Sequence, residues 1–349
     1  MRLLKNISIA FSLLISGLGL AQPTFAQTPI TISVQPTIYW VFPMHLATEK
    51  GWWAEAGLSP TFVVYPAGLP QVNAVAEKAW DVGGTGSVPG MIGADKYQLE
   101  IIGITNDESA TNGLYAIPAF AAKYRADHGA LRGQKIVLTA NSTVDFAAQA
   151  CLALAGLLNT QTTWVAAPPK DVLAAIAAKE TEIAGLWAPN TYVAEAAGWT
   201  SICSGRDSRV LIPGLLVARP EYAKANPEAV AKFLAVYLRG WQWAKANPAE
   251  AQKILKAFYA KGGLNISDDA IKKEFATRPT FSLSEQIAFV ASTPATDSKL
   301  AYALQRMGIF LRESGTIAST RPAQKRITDK YLKAIEASPQ LSAIANRKN

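Results

Sequence analysis

Apolar and polar positions along the chain repeat with two different periods. Residues 30–35 and 58–65 follow the pattern of strands, and the continuous apolar run 99–105 is typical of a strand buried on both faces. Helical periodicity fills the intervals between these strands, first at about 42–50 and then at 71–78. This alternation predicts an open, mainly parallel α/β sheet, in which ligands bind beyond the carboxyl ends of the strands.

The same alternation starts afresh in the middle of the chain. With helices between them, further strands are predicted at 135–138, 163–166, 183–186 and 200–203. The stretches 113–118 and 205–214 are expected to carry the chain to a second lobe and back. We therefore assign residues 27–110 and 208–349 to a first lobe, which C-terminal helices cover, and residues 111–207 to a second lobe.

The N-terminus has the features of a removable export signal. Arg2 and Lys5 precede an apolar run from residue 7 to residue 20, and Thr24-Phe25-Ala26 forms a small-x-small cleavage site. The apolar run is shorter than the roughly 20 residues that a spanning helix needs, which disfavours a retained membrane anchor. No cysteine stands at the cleavage site, so a lipid anchor is not expected. The mature protein is predicted to begin near Gln27 and to reside in the periplasm.

Composition and charge narrow the function classes. The 349 residues are 50% hydrophobic and 17% charged, which fits a globular chain with lobes of roughly 100 to 200 residues each. The formal net charge of +8 is spread over single lysines and arginines, without the basic stripe of a nucleic-acid binder. Two histidines and two cysteines lack ligand-like spacing, so neither a metal site nor a cofactor is predicted. After export, Cys151 and Cys203 meet an oxidising compartment, in which they can pair or remain apart.

One glycine-rich segment is the strongest candidate for a binding site. Residues 81–89 read Asp-Val-Gly-Gly-Thr-Gly-Ser-Val-Pro, so a short strand leads through glycines to Thr85, Gly86 and Ser87 at a helix start. Unpaired backbone N–H groups and hydroxyls at such a start converge on one point and suit an anion. The segment lacks the lysine of the Gly-x4-Gly-Lys-Ser/Thr loop, so it is not predicted to cleave phosphate esters.

A second candidate helix start lies at Ser142 and Thr143. These hydroxyls precede a long apolar-periodic helix, the usual setting of an N-cap. Two interpretations remain open for them, because they can cap the helix or contact a ligand. For Ser87 the ligand contact is favoured, since the preceding glycines leave the backbone approachable.

Several segments together resemble a known family, the periplasmic substrate-binding proteins of ABC importers, in the branch that handles nitrate, taurine and aliphatic sulfonates. The matching segments are Leu46-Ala-Thr-Glu-Lys-Gly-Trp-Trp53 with Ala56-Gly57-Leu58, Pro66-Ala67-Gly68, Trp80 to Pro89, Trp187-Ala188-Pro189, and Arg219-Pro220-Glu221-Tyr222 followed by Asn226-Pro227. The resemblance implies a type II binding-protein fold, two α/β lobes joined by two crossing hinge strands, that closes around one small molecule. It also implies a monomer that docks on an ABC permease and has no enzymatic activity.

The same resemblance implies a set of ligand contacts. They are Thr85, Ser87 and the backbone of Gly86 from the first lobe, and Ser142 and Thr143 from the second. All of them lie at predicted helix starts, so the physical interpretation and the resemblance point to the same residues.

Two tryptophans and two acids complete the candidate site. Trp40 in the first loop and Trp187 are expected to form a flat wall for the carbon part of a ligand, although aromatic residues also pack in cores. The acid that relatives carry after this second tryptophan is replaced by Ala188, which puts a cation contact there in doubt. Asp107, or its neighbour Glu108, can instead face an ammonium group or bond the hinge backbone.

The leading hypothesis is a non-enzymatic receptor for a small organic anion or zwitterion, with an alkanesulfonate or a taurine-like compound first. Nitrate, an aromatic carboxylate or a pyrimidine precursor are alternatives, and a sensor that docks on a membrane receptor would use the same residues. An enzyme of thiamine-pyrimidine synthesis shares the fold, but its chemistry would call for a cysteine-rich motif and histidines that are not grouped here.

Overall fold

The computed structural model describes residues 27–292, 297–319 and 325–349. The predicted export signal lies outside the described residues. The strands are β1 Thr28–Val34, β2 Leu58–Val64, β3 Val82–Thr85, β4 Glu100–Asp107, β5 Asn112–Ala116, β6 Lys135–Leu138, β7 Thr163–Ala166, β8 Ile183–Trp187, β9 Thr200–Ser204 and β10 Pro213–Ala218.

Helices connect the strands and make up most of the C-terminal part. The helices of the first two thirds are α1 Phe42–Glu49, α2 Trp52–Glu55, α3 Gly68–Asn73, α4 Ser87–Lys96, α5 Pro118–Ala126, α6 Thr143–Leu154, α7 Pro169–Ala177 and α8 Asn190–Ala196. They are followed by α9 Pro220–Ala225, α10 Pro227–Ala246, α11 Pro248–Lys261, α12 Asp268–Thr277, α13 Leu283–Val290, α14 Lys299–Glu313, α15 Lys330–Ala337 and α16 Pro339–Ala345.

Two separate five-stranded sheets form the centres of two lobes. Their strand orders are β2-β1-β3-β10-β4 and β7-β6-β8-β5-β9. In the first sheet β1 runs parallel to β2 and β3, and in the second β6 runs parallel to β7 and β8. The chain changes sheet between β4 and β5 and returns between β9 and β10, which confirms the predicted two-lobed α/β fold with two crossings.

The prediction of mainly parallel sheets was too simple. Strand β10 lies antiparallel between β3 and β4, and β5 lies antiparallel between β8 and β9. Both strands arrive directly from the other lobe. Because no helical crossover precedes them, nothing forces them to run parallel to their neighbours.

The two crossing segments are hydrogen-bonded to each other. The Glu108 N–H donates to the carbonyl of Ile212 at 2.8 Å, and the Ile212 N–H donates to the Ser109 hydroxyl at 2.9 Å. At the far end the Gly205 N–H donates to the carbonyl of Asn112 at 2.9 Å. The connection between the sheets is therefore a paired, two-chain hinge.

The C-terminal helices cover the first sheet, as predicted, and also reach the second lobe. Helix α10 packs along α1, and α15 and α16 pack on α10. Helix α12 contacts α8 through a buried hydrogen bond of 3.1 Å from the Tyr192 hydroxyl to the Glu274 carboxylate. Helix α14 lies against α6, where the rings of Phe310 and Phe146 are 5.7 Å apart. The extension thus bridges both lobes beside the hinge.

A disulfide fixes the helix that begins at one of the candidate binding segments. Cys151 of α6 is joined to Cys203 of β9, and both residues are buried. The bond holds α6 against the edge strand of the second sheet, so the start of α6 has a fixed position relative to the return crossing.

Replacing both cysteines by serine should lower the free energy of unfolding by about 4 kcal/mol, because the bond closes a loop of 52 residues in the unfolded chain. Chemical denaturation of the wild type, with and without reductant, and of the double variant measures the effect. Reductant should destabilise the wild type and leave the double variant unchanged. Equal stability of the wild type and the double variant in the absence of reductant would contradict the prediction.

Candidate functional site

The two predicted helix starts face each other across the gap between the lobes. Strand β3 ends at Thr85, Gly86 occupies the N-cap of α4, and Ser142 occupies the N-cap of α6. A Cβ atom added to Gly86 would lie only 2.9 Å from the Cγ2 atom of Thr143. The approach is so close that a side chain at this position would press on Thr143 in the present arrangement, and two positive helix ends point into one space.

Two hydroxyls on the first-lobe side have no hydrogen-bond partner among the described residues. Thr85 Oγ1 and Ser87 Oγ are buried, and both side chains are 0% exposed. Buried polar atoms are normally paired, so unpaired ones call for an explanation. Gly86, which lies between them in sequence, lines the cavity between the lobes, whereas Thr85 and Ser87 do not line it in this closed arrangement. A ligand contact of either hydroxyl remains a prediction.

The hydroxyls on the second-lobe side already have partners. Ser142 Oγ donates to the carbonyl of Thr139 at 2.6 Å and accepts from the Asp145 N–H at 3.4 Å. Thr143 Oγ1 donates to Asn112 Oδ1 at 2.7 Å. The capping interpretation therefore describes the side chain of Ser142, and what α6 offers to a ligand is chiefly its orphan backbone N–H groups.

Both predicted tryptophans line the same cavity. Trp40 packs on the backbone of β3, where a Cβ atom added to Gly84 would lie 2.5 Å from the indole. Trp187 ends β8, is partly buried and precedes the cis peptide bond between Ala188 and Pro189. The two indoles supply apolar walls on opposite lobes.

The cavity between these groups is small. Its lining comprises Gln35, Ile38, Trp40, Gly68, Gly86, Pro89, Glu108, Ser142, Thr143 and Trp187. Its volume is about 20 Å³, room for one water molecule. Sites for organic ligands typically measure about 300–1,000 Å³, so an organic guest requires the lobes to move apart.

Of the two acids at the hinge, the structure places Glu108 and not Asp107 in the cavity wall. The Asp107 carboxylate accepts hydrogen bonds from the backbone N–H and the hydroxyl of Ser109, the first at 2.9 Å. It thereby fixes the turn between β4 and β5, which was the alternative considered for it. A ligand contact of Asp107 remains a prediction that this geometry does not favour.

Glu108 belongs to a buried charge cluster, which we call the hinge triad: Glu108, Arg278 and Glu274. Arg278 follows α12 and bonds both carboxylates, with Nη1 3.1 Å from Glu274 Oε2 and Nη2 on Glu108 Oε1. Burial raises the pKa of Glu108 and the Arg278 charge offsets part of that rise. Burial opposes the charge of Arg278, but the two carboxylates raise its pKa, so the guanidinium stays protonated.

Sequence reasoning missed a pair of glutamines that shape the first-lobe wall. Gln35 Nε2 donates to Gln71 Oε1 at 2.9 Å, and Gln71 Nε2 donates to the Gly84 carbonyl at 2.7 Å and to Ser33 Oγ at 2.9 Å. The pair holds Gln35 at the cavity. The available signal was the place of Gln35 at the carboxyl end of the predicted strand 30–35, where α/β sheets bind ligands.

Comparison with known families identifies the chain. A family model described as NMT1/THI5 like matches residues 40–251, more than half of the chain. The chain belongs to the NMT1/THI5-like family. The match begins at Trp40 and includes both helix starts, the hinge acids and Trp187.

Relatives of this NMT1/THI5-like chain include binding proteins. A Brucella abortus protein described as a binding protein is 27% identical over 229 residues, which cover 64% of this chain and 70% of the relative. A Bacillus subtilis protein described as an aliphatic sulfonates-binding protein is 25% identical over 228 residues, 64% of this chain and 67% of the relative.

Solved structures show the fold. The periplasmic aliphatic sulphonate binding protein of Escherichia coli superposes with a TM-score of 0.69 at 16% identity, over 88% of this chain and 99% of that one. The resemblance inferred from the sequence segments and the two-lobed binding-protein fold are both confirmed by these comparisons. Within residues 27–292, 297–319 and 325–349, no helix is long and apolar enough to span a membrane.

Replacing Arg278 by methionine should lower the free energy of unfolding by about 3–5 kcal/mol, because two buried carboxylates would lose their counterion. The loss should shrink as the pH falls, since the pKa of Glu108 would rise further and a protonated carboxyl needs no counterion. Urea denaturation at several pH values measures both effects.

The ion pair of the exposed Glu228 with the half-buried Lys232, 2.8 Å apart, supplies the control. Glu228→Gln should change stability by less than about 0.5 kcal/mol at every pH. An Arg278→Met protein as stable as this control would refute the importance of the triad.

Proposed function

We propose that this NMT1/THI5-like protein is an extracytoplasmic solute-binding receptor, which captures a small organic anion or zwitterion between its lobes and delivers it to an ABC permease. An alkanesulfonate or a taurine-like compound is the preferred ligand. The observation that carries the proposal is the meeting of two helix N-termini in one cavity, at Gly86 and at Ser142 and Thr143. The residues on either side of Gly86 add two buried hydroxyls that have no partner among the described residues. Helix dipoles and charge-assisted N–H bonds stabilise an anionic head group at such a place.

In this proposal two sets of residues contact two different parts of the ligand. Thr85, Gly86 and Ser87 hold the anionic group from the first lobe, together with the α6 start at Ser142 and Thr143. The indoles of Trp40 and Trp187 enclose the carbon skeleton. The relatives described as sulfonate-binding support this choice of ligand class over a nucleotide or a peptide.

Binding requires motion about the hinge. We propose that residues 27–110 with 208–349 move against residues 111–207, and that an export signal ending at residue 26 directs the protein to the periplasm. A cavity of about 20 Å³ must open to admit the guest and then close around it. The closed form is the state that a permease would distinguish from the open one.

The enzyme alternative has little support in this cavity. Within the described part of the chain its lining includes no cysteine, histidine or lysine, and Glu108, the one carboxylate there, bonds Arg278. Groups that serve as nucleophiles or general bases in ordinary catalytic sites are therefore not assembled here.

Closure of the lobes can be tested where Gly86 approaches Thr143. Gly86→Ala should weaken ligand binding at least about tenfold, or 1.4 kcal/mol, because the new methyl group meets Thr143 Cγ2 and holds the lobes apart. Gly86 has φ −65°, so alanine fits its backbone without strain. The double variant Gly86→Ala/Thr143→Ser removes that methyl and keeps the hydroxyl, and it should recover most of the affinity. Calorimetric titration with the tightest ligand measures the series, and no rescue by the serine would contradict the closure model.

A thermal-shift screen over alkanesulfonates, carboxylates, nitrate, amines and pyrimidines should find its largest rise in melting temperature with a sulfonate, because a ligand that binds only the folded state stabilises it. Ser87→Ala should weaken that ligand by about 1–3 kcal/mol, the cost of a lost hydrogen bond to a charged group. The stability of the free variant should hardly change, since the hydroxyl has no partner among the described residues. Stabilisation by uncharged compounds alone would defeat the proposed ligand class.

A further inference from the structure

Among the described residues, the cavity wall contains one ionisable side chain, that of Glu108. The described part of the wall includes no lysine or arginine, so the anionic part of a ligand would be held there by helix ends and hydroxyls. A receptor for simple anions gains nothing from a carboxylate beside its ligand, because like charges repel. The position of the Glu108 carboxylate in the cavity wall therefore needs a separate explanation.

The hinge triad carries one negative charge too many. Glu108 and Glu274 supply two carboxylates, and Arg278 supplies a single guanidinium between them. All three side chains are nearly inaccessible to solvent, at 3%, 0% and 1% exposed respectively. Water therefore does little to compensate the excess charge.

Hydrogen bonds assign the excess charge to Glu108. The Glu274 carboxylate accepts from the hydroxyls of Tyr192 and Tyr259 as well as from Arg278 Nη1. The Glu108 carboxylate accepts from Arg278 Nη2. Glu274 is thus well stabilised as the counterion of Arg278, whereas the Glu108 carboxylate, which belongs to a residue of the cavity wall, retains capacity for another donor.

The other charged and titratable groups that approach Glu108, those of Asp107 and Tyr237, do not neutralise its negative charge. Asp107, on the same strand end, is acidic and adds to the rise in the pKa of Glu108. Tyr237 approaches from α10, and its hydroxyl donates to the carbonyl of Trp40 at 2.9 Å. A cation brought by the ligand would complete the charge balance of the triad.

We infer that Glu108 is a specificity-determining residue, which selects ligands that carry a protonated amine beside their anionic group. This inference rests on the proposed function, since it assumes an anionic group at the helix starts. A zwitterion with an anionic head at Gly86 and Ser87 would direct its ammonium group toward the hinge, where Glu108 accepts an N–H bond. The backbone of Glu108 is fixed by bonds to Ile212 and Thr111, so the acceptor is preorganised.

Recognition of an ammonium group by Glu108 should change the number of protons bound to the protein, which can be measured. An ammonium group at Glu108 stabilises the carboxylate and lowers its pKa again, so binding a zwitterion should release a proton when Glu108 is protonated beforehand. The affinity for a zwitterion should therefore rise as the pH rises through the pKa of Glu108. A plain anion should show the opposite trend, because it binds best beside a neutral carboxyl.

The test compares taurine with 1-propanesulfonate, in which a methyl group replaces the ammonium group, by calorimetric titration of the full chain. The wild type should prefer taurine by about tenfold or more, the size of a charge-assisted bond. Glu108→Gln should abolish most of that preference and the proton release, which titrations in buffers of different ionisation enthalpy detect. Glu100→Gln, at the other end of β4, is the control and should retain both.

Each outcome has a distinct meaning. Equal affinity of the wild type for both sulfonates, or an unchanged preference in Glu108→Gln, would overturn this inference and leave the proposed function standing. Failure of every anion to bind would overturn the proposed function and this inference with it. Thermal unfolding shows whether Glu108→Gln is folded, and a larger proton release by the wild type with taurine than with 1-propanesulfonate supports the inference without any variant.

Discussion

The structure depends on one steric and electrostatic condition, the close opposition of two helix N-termini. Two positive helix ends repel weakly and leave backbone N–H groups unpaired, so their meeting costs free energy unless an acceptor lies between them. The chain makes the meeting possible by having no side chain at Gly86, which a Cβ atom would bring to 2.9 Å from Thr143. The rest of the fold holds this arrangement in place. Strand β3 directs α4, and the disulfide at Cys151 anchors α6 to β9.

The hinge links this opposition to the C-terminal extension. Arg278, just after α12, bonds Glu108 at the crossing, and Glu274 on the same helix bonds Tyr192 of the second lobe. Opening the cleft must therefore stretch or break a buried polar contact as well as separate the helix starts. Breaking such a contact in a water-poor interior costs more than breaking it at the surface, because the freed groups must first be hydrated. In the proposed mechanism the extension would therefore take part in closure, in addition to covering the first sheet.

Much of this arrangement could be predicted from the sequence, because it follows from local rules. Strand and helix periods gave the two α/β lobes and their crossings, and the N-cap signals at residues 85–87 and 142–143 identified both helix starts. The features that could not be predicted depend on tertiary contacts between segments that are far apart in the sequence. The choice between Asp107 and Glu108 depends on which carboxylate meets Arg278, which is 170 residues later in the chain. The link from Gln35 to Gln71 and the antiparallel direction of β10 and β5 likewise follow from packing between distant segments.

If the proposed function holds, the same contacts would let the site discriminate among anions, although the described residues of its wall include no cationic side chain. Helix ends and hydroxyls attract any anionic head group, and they respond to its shape only through distance. The second part of the ligand meets a different kind of group, because Glu108 is fixed at the hinge and its charge is only partly balanced by a guanidinium shared with Glu274. Attraction thus resides at the helix starts and discrimination at the hinge. Since Glu108 belongs to the segment that must bend, a ligand that satisfies its carboxylate also stabilises the closed geometry of that segment, and recognition and closure become one event.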